Sequence, residues 1–168
     1  MTSQEIHDIL AQKFPASVVE FSDGILQPFI KIQAGDIDRI ARFLRDDDQL
    51  QFDYLMCLSG IDLGENLGVV YHLYSTVHNH KIVLRAEAAK QTPDVKSVAP
   101  LWRTADWHER EAFDMLGINF VNHPDLRRIL LPDDWEGFPL RKDYIQPDIY
   151  NGIRVPHPDH KEEANDRE

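Results

Sequence analysis

Apolar positions along the chain alternate between helical and strand spacing. After Thr2-Ser3-Gln4-Glu5, a capping-box pattern, Ile6, Ile9 and Leu10 fall on one helical face. Pro15 follows this helix. Residues 17–21 (SVVEF) and 28–33 (PFIKIQ) read as strands around the turn Ser22-Asp23-Gly24. Asp36 is placed to cap a second helix, with Ile37, Ile40, Ala41 and Leu44 at i, i+3, i+4 and i+7 and a solvated acidic turn, Asp46-Asp47-Asp48, at its end. Three further strands are predicted in 50–61, 68–76 and 80–86, separated by the loop stretches DLGENLG and VHN. The order α-β-β-α-β-β-β predicts an α+β two-layer sandwich over 1–94, with helices on one face of a mixed, mostly antiparallel sheet.

The pattern changes near residue 95. Residues 95–103 and 104–116 read as two consecutive helices, a helical segment spanning 95–117 with Gly117 as its stop. Six of the ten prolines fall between 121 and 160, yet Ile129, Leu130, Leu131, Trp135, Phe138, Leu140, Tyr144 and Tyr150 lie in the same stretch. Proline breaks helices and central strands, while disordered tails lack large apolar side chains. Residues 118–156 are therefore expected to form an extended strap ordered on another surface. Residues 157–168 (HPDHKEEANDRE) are expected to be a flexible polar tail.

Charge and composition narrow the function. The net charge is −11, with 18 Lys+Arg against 29 Asp+Glu, spread evenly and without a basic arm. This disfavours nucleic acid as a partner, because binding a phosphate backbone needs clustered cations. The single cysteine, Cys57, excludes an intramolecular disulfide, and the chain alone cannot ligate an iron–sulfur cluster. Cys57 reads as a small buried hydrophobe. The opening MTSQEIHDIL has no basic region followed by an apolar core, so no signal peptide is expected. No apolar run approaches the roughly 18 residues of a membrane span. Gly60, Gly64 and Gly68 read as loop glycines and match no phosphate-binding fingerprint.

The stretch HEREAFDMLG, residues 108–117, opens like a zinc-hydrolase helix. That chemistry needs a second His at i+4, and Ala112 stands there. A metal-dependent hydrolase would have to assemble His108, Glu111, Asp114 and His123 without a fixed ligand spacing. His72, His78 and His80 read as ordinary surface or turn histidines. On a helical wheel Glu109 falls inside the stripe Ala105, Ala112, Phe113 and Leu116, whereas Trp107 and Glu111 face elsewhere. A carboxylate on an apolar face needs partners. Arg110, Arg127, Arg128 and Arg141 are the candidates, so Glu109, and with it Glu111, is expected to pin arginines of the ribbon or of a partner. The alternative is a solvated helix whose Glu109 snorkels outward.

Residues 109–144, EREAFDMLGINFVNHPDLRRILLPDDWEGFPLRKDY, resemble the signature of the 30-kDa subunit family of NADH–quinone oxidoreductase, respiratory complex I. The pattern runs through Glu109-Arg110-Glu111, Asp114, Gly117, His123-Pro124, Leu126, Arg128-Ile129-Leu130, Asp134-Trp135, Gly137 and Pro139-Leu140-Arg141-Lys142-Asp143-Tyr144. Ile145 stands where many members have Pro. The resemblance implies a non-catalytic structural and assembly subunit of the peripheral arm, carrying no cofactor, with FMN and iron–sulfur clusters on partner subunits. It implies the hydrogenase-large-subunit-like component of complex I, which helps form the quinone site, as neighbour. It also implies a peripheral location on the cytoplasmic side of the inner membrane. Equivalent subunits of ferredoxin–plastoquinone oxidoreductase and of membrane-bound hydrogenases share the pattern. The expected interface or ion-pair residues are Glu109, Arg110, Glu111, Asp114, His123, Arg127, Arg128, Trp135, Arg141, Lys142, Asp143 and Tyr144.

Overall fold

The computed structural model describes residues 1–155; the expected polar tail 157–168 lies outside the described residues. Helix α1 (Ser3–Lys13) starts with the capping box: the Glu5 N–H donates to Thr2 Oγ1 at 3.2 Å, and the Thr2 N–H to Glu5 Oε2 at 2.7 Å. Strands β1 (Val18–Ser22) and β2 (Phe29–Gln33) follow, then a 3-10 turn at Ala34–Asp36 and helix α2 (Ile37–Asp46). Asp36 does occupy the N-cap position of α2, but its side chain caps nothing. Its backbone is already near-helical, and its carboxylate turns to Ser17 Oγ (2.8 Å) and Arg39 (3.2 Å).

Strands β3 (Tyr54–Asp62), β4 (Asn66–Ser75) and β5 (His80–Ala89) complete a sheet of order β1-β2-β5-β4-β3. The β2–β5 pair is parallel and the other three are antiparallel, as the α+β reading requires. Period-2 burial is clear in β4, where Leu67, Val69, Tyr71, Leu73 and Ser75 point inward. Ile30, Ile32, Ile82, Leu84 and Ala86 extend that inner face, and the helices cover it with Ile6, Leu10, Ile37, Ile40 and Leu44. The predicted strand at 50–61 begins only at Tyr54; Leu50 and Phe52 are core residues of the preceding turn. His80 is buried, its ring bonded through Nε2 to the Leu50 carbonyl (2.8 Å), so it is a core histidine rather than a surface one. Cys57 is only half-buried and lies beside Ser59 on the outer face.

The predicted helix at 95–103 does not form. Asp94–Lys96 is strand β6, parallel to β7 (Asn119–Val121), and Val95 is buried beside Phe120. Pro93 and Pro100 bracket the segment, and the sheet pairing outweighs its helical spacing. One helix, α3 (Arg103–Leu116), carries the rest. It lies over β3, and the close approach depends on Gly60. A Cβ there would sit 2.6 Å from Leu116 Cδ1. Gly60 and Gly68 are therefore strand glycines, and of the three only Gly64 is in a loop. Ile118 and Phe120 are core residues. The hydrophobic core thus includes two residues of the 118–156 segment. The remainder forms a ribbon over α3, ending in the hairpin β8 (Ile149–Tyr150) and β9 (Ile153–Arg154).

Candidate functional site

Helix α3 and the ribbon meet in a set of polar contacts centred on Asp114. Ala105, Glu109, Ala112 and Leu116 form the stripe buried against the sheet, whereas Trp107 and Glu111 are exposed. Asp114 lies on the opposite face of the helix and is buried because the ribbon covers it. Asp114 Oδ2 accepts the N–H groups of Ile129 (3.0 Å), Leu130 (2.7 Å) and Leu131 (2.9 Å). Oδ1 accepts from Arg128 Nη1 at 2.7 Å. Burial alone would raise this carboxyl's pKa. The three N–H groups and the guanidinium outweigh it and hold the group below the ordinary aspartate value.

Arg128 continues the network, donating from Nη2 to the carbonyls of Trp135 (3.0 Å) and Gly137 (3.2 Å). Arg110 donates to the carbonyls of Arg127 (3.2 Å) and Arg128 (3.1 Å) and lies against the Trp107 ring. Arg141 takes the Leu116 carbonyl at 2.6 Å, and the Leu140 N–H takes that of Met115 at 3.0 Å. The ribbon thereby caps the C-terminal carbonyls of α3, which would otherwise lack partners. Gly117 (φ 70°) makes this possible. A Cβ there would lie 2.6 Å from the Phe138 ring and 2.7 Å from Arg141 Nη2. Gly117→Ala is expected to cost about 1–3 kcal/mol, from left-handed strain plus overpacking, measured as a lower urea midpoint.

A second anchor sits at Asp62, which no sequence signal singled out beyond its Asp-x-Gly turn. Its carboxylate accepts from the Lys142 N–H (2.9 Å) and the Gly64 N–H (2.7 Å), and Lys90 lies 3.1 Å away. Burial opposes ionisation, but these donors prevail and lower its pKa to about 2. Lys90 also reaches Asp143 at 2.8 Å. Further along, Trp135 packs on Tyr150, whose hydroxyl donates to Asp134, and the Tyr144 ring closes over Gly137.

Among the described residues Glu109 pairs with no arginine, contrary to the sequence expectation. Glu109 is fully buried, but its oxygens accept from Ser97 Oγ (2.6 Å) and the Val98 N–H (2.7 Å). The arginine is recruited one turn later, at Asp114. Burial raises the Glu109 pKa to about 7, against the lowering effect of its hydrogen bonds. Glu111 is exposed, and Arg127 pairs on the surface with Asp125 at 2.8 Å. The hypothetical hydrolase set is pulled apart: His108 bonds the Leu58 carbonyl through Nδ1, His123 faces Asp106, and Asp114 holds the ribbon. Among the described residues, no group of three or more His, Cys, Asp or Glu side chains is placed to hold a metal ion.

The backbone of the ribbon is thus tied inward, its aromatic side chains are half-buried, and a set of its Leu and Ile side chains turns out. Leu130, Leu140, Ile145, Ile149 and Ile153 are exposed, Ile145 by 86% and Ile153 by 72%. A family model described as "Respiratory-chain NADH dehydrogenase, 30 Kd subunit" matches residues 30–149. The chain belongs to this family. The matched span contains every clasp residue from Asp62 to Tyr144. The corresponding NADH-quinone oxidoreductase subunit of Chloroherpeton thalassium is 48% identical over 152 residues, covering 89% of this chain but 63% of that relative. Its counterpart in Chlorobium phaeobacteroides is 45% identical over 157 residues, covering 90% of this chain and 93% of the relative. Two solved structures share this chain's fold. A chain of an archaeal membrane-bound sulfane sulfur reductase matches with a TM-score of 0.68 at 19% identity, over 84% of this chain and 85% of its own. A trypsin-resistant fragment of Nqo5 matches at 0.57 and 22%, over 74% of this chain and all of the fragment.

Proposed function

We propose that this chain is a structural and assembly subunit in the peripheral arm of a proton-pumping NADH–quinone oxidoreductase. In this reading electrons pass from NADH through FMN and iron–sulfur clusters on other subunits to quinone, and the chain has no catalytic centre of its own. Its ribbon is a strap whose apolar side chains seat against a neighbour, the hydrogenase-large-subunit-like component, on the cytoplasmic side of the inner membrane. Among the described residues no helix is long and apolar enough to cross a membrane; in this reading attachment runs through the complex.

One observation carries the reading: a backbone fixed by buried acids and arginines presents a row of exposed Leu and Ile side chains with no cover of their own. Surfaces of that kind mark protein interfaces. The test is a tagged Leu140→Asp/Ile145→Asp double variant. Both side chains are exposed, so its stability is expected to stay within about 0.5 kcal/mol of the parent. Co-purification with a flavin- and cluster-containing assembly from solubilised membranes is expected to be lost. Normal incorporation would refute the strap. The same purified assembly identifies the electron donor: reduction by NADH supports the proposal, whereas reduction only by ferredoxin or hydrogen would transfer the chain to one of the related complexes.

A further inference from the structure

A second polar cluster lies beneath the start of the ribbon, outside the network of arginines. His123 is enclosed, and its ring is held by two contacts. The Asp125 N–H donates to Nδ1 at 3.0 Å, so a neutral ring carries its proton on Nε2. That Nε2 lies 3.2 Å from Asp106 Oδ1, 3.3 Å from the Asp106 carbonyl and 3.8 Å from Glu109 Oε2. The N–H is thus bonded to the Asp106 main-chain carbonyl, while Asp106 Oδ1, close to the ring, makes no hydrogen bond among the described residues and Glu109 Oε2 is the next acceptor within reach. The charged and titratable groups around Glu109 come from every packed element. Tyr71 faces it from β4, fully enclosed and with no hydrogen-bond partner for its hydroxyl among the described residues. Ser97 and Val98 face it from the segment after β6, and Asp106 from α3. Arg110, its neighbour on α3, is turned away to the ribbon carbonyls, and Arg127 approaches Asp106 from the ribbon.

With its proton, Glu109 makes no demand on His123, whose N–H stays with Asp106. Once ionised, Glu109 is met by the Ser97 hydroxyl and the Val98 and Ala99 N–H groups but by no cation, and is repelled by Asp106. The His123 N–H is the next donor within reach. Closing 3.8 Å to a hydrogen bond takes a movement of about 1 Å. The ring cannot make it alone, because Nδ1 is tied to Asp125 and the His123 backbone N–H to the Phe120 carbonyl. The turn 120–125, which includes the left-handed Asn122 (φ 69°), must follow.

We propose that Glu109, Asp106 and His123 form a proton-operated hinge at the root of the ribbon. Loss of the Glu109 proton to solvent transfers the His123 N–H from the Asp106 main-chain carbonyl to Glu109 and draws the 122–125 turn toward α3. The raised pKa of Glu109, about 7, places this exchange in the neutral range.

The test is NMR on the labelled full-length chain between pH 5.5 and 8.5. The Glu109 carboxyl carbon and the Asp125 amide are expected to titrate with one shared midpoint. In Glu109→Gln, which keeps an acceptor and cannot ionise, the Asp125 amide is expected to lose that midpoint. Should this variant not fold, Ser97→Ala serves instead: removing a donor from the carboxylate is expected to raise the shared midpoint. Three results overturn the hinge: an Asp125 titration unchanged in Glu109→Gln, a Glu109 titration without a response at Asp125, or an unmoved midpoint in Ser97→Ala.

Discussion

Asp114→Ala is expected to release the ribbon from α3. The substitution leaves the Arg128 guanidinium and three consecutive N–H groups without their acceptor. Breaking a buried ion pair from one side costs about 3–5 kcal/mol, about two to three and a half orders of magnitude in the equilibrium between docked and released ribbon. Two measurements read it. Urea unfolding reports any global loss, and limited trypsin digestion reports local release through cleavage after Arg127 and Arg128. The digestion is expected to accelerate by at least ten-fold. An unchanged digestion rate and a stability change within about 0.5 kcal/mol would show that these bonds contribute little. The acid limb also has a definite sign. Because the folded pKa of Asp114 lies below its ordinary value of 3.8, its contribution is present at neutral pH. It is lost as pH falls through the folded value, and Asp114→Ala should abolish this part of the acid sensitivity.

Glu109 is expected to behave oppositely. Its folded pKa of about 7 lies above the ordinary 4.5, because burial outweighs its hydrogen bonds. The folded chain therefore binds this proton more tightly than the unfolded chain. The stabilisation is complete below pH 4.5 and is lost as pH rises toward 7. At about 1.4 kcal/mol per pH unit, the loss amounts to about 3 kcal/mol. Urea midpoints between pH 5 and 8 check it. The parent should weaken over that range, and Glu109→Gln, which cannot ionise, should weaken by less than half as much. Equal slopes in the two proteins would mean that Glu109 is already ionised at pH 5. The two acids lie five residues apart on one helix, and donor count separates them. Asp114 receives three N–H groups and a guanidinium, whereas Glu109 receives a hydroxyl and main-chain N–H groups but no cation.

The sequence by itself determined the elements whose apolar period is local. The Thr2–Glu5 capping box, the i, i+3, i+4, i+7 stripe of α2, the alternation in β4 and the stop at Gly117 are each set by neighbours within a few residues. It also determined that a carboxylate on the inner stripe of α3 must find partners, because burying an unpaired charge is too costly at any tertiary arrangement. The signature over 109–144 carried the family.

Only the tertiary structure decided which partners those acids take. Asp114 and its donors are 14–17 residues apart, Asp62 and Lys142 are 80 apart, and Glu109 reaches back to Ser97 across a turn. Helical spacing said that Glu109 was inside, but not that the arginines pass one turn away from it. The pairing of β6 with β7 overrode a helical pattern at 95–103 for the same reason. Hydrogen-bond partners and strand neighbours are selected by proximity in space, and chain folding brings together groups that no local period relates.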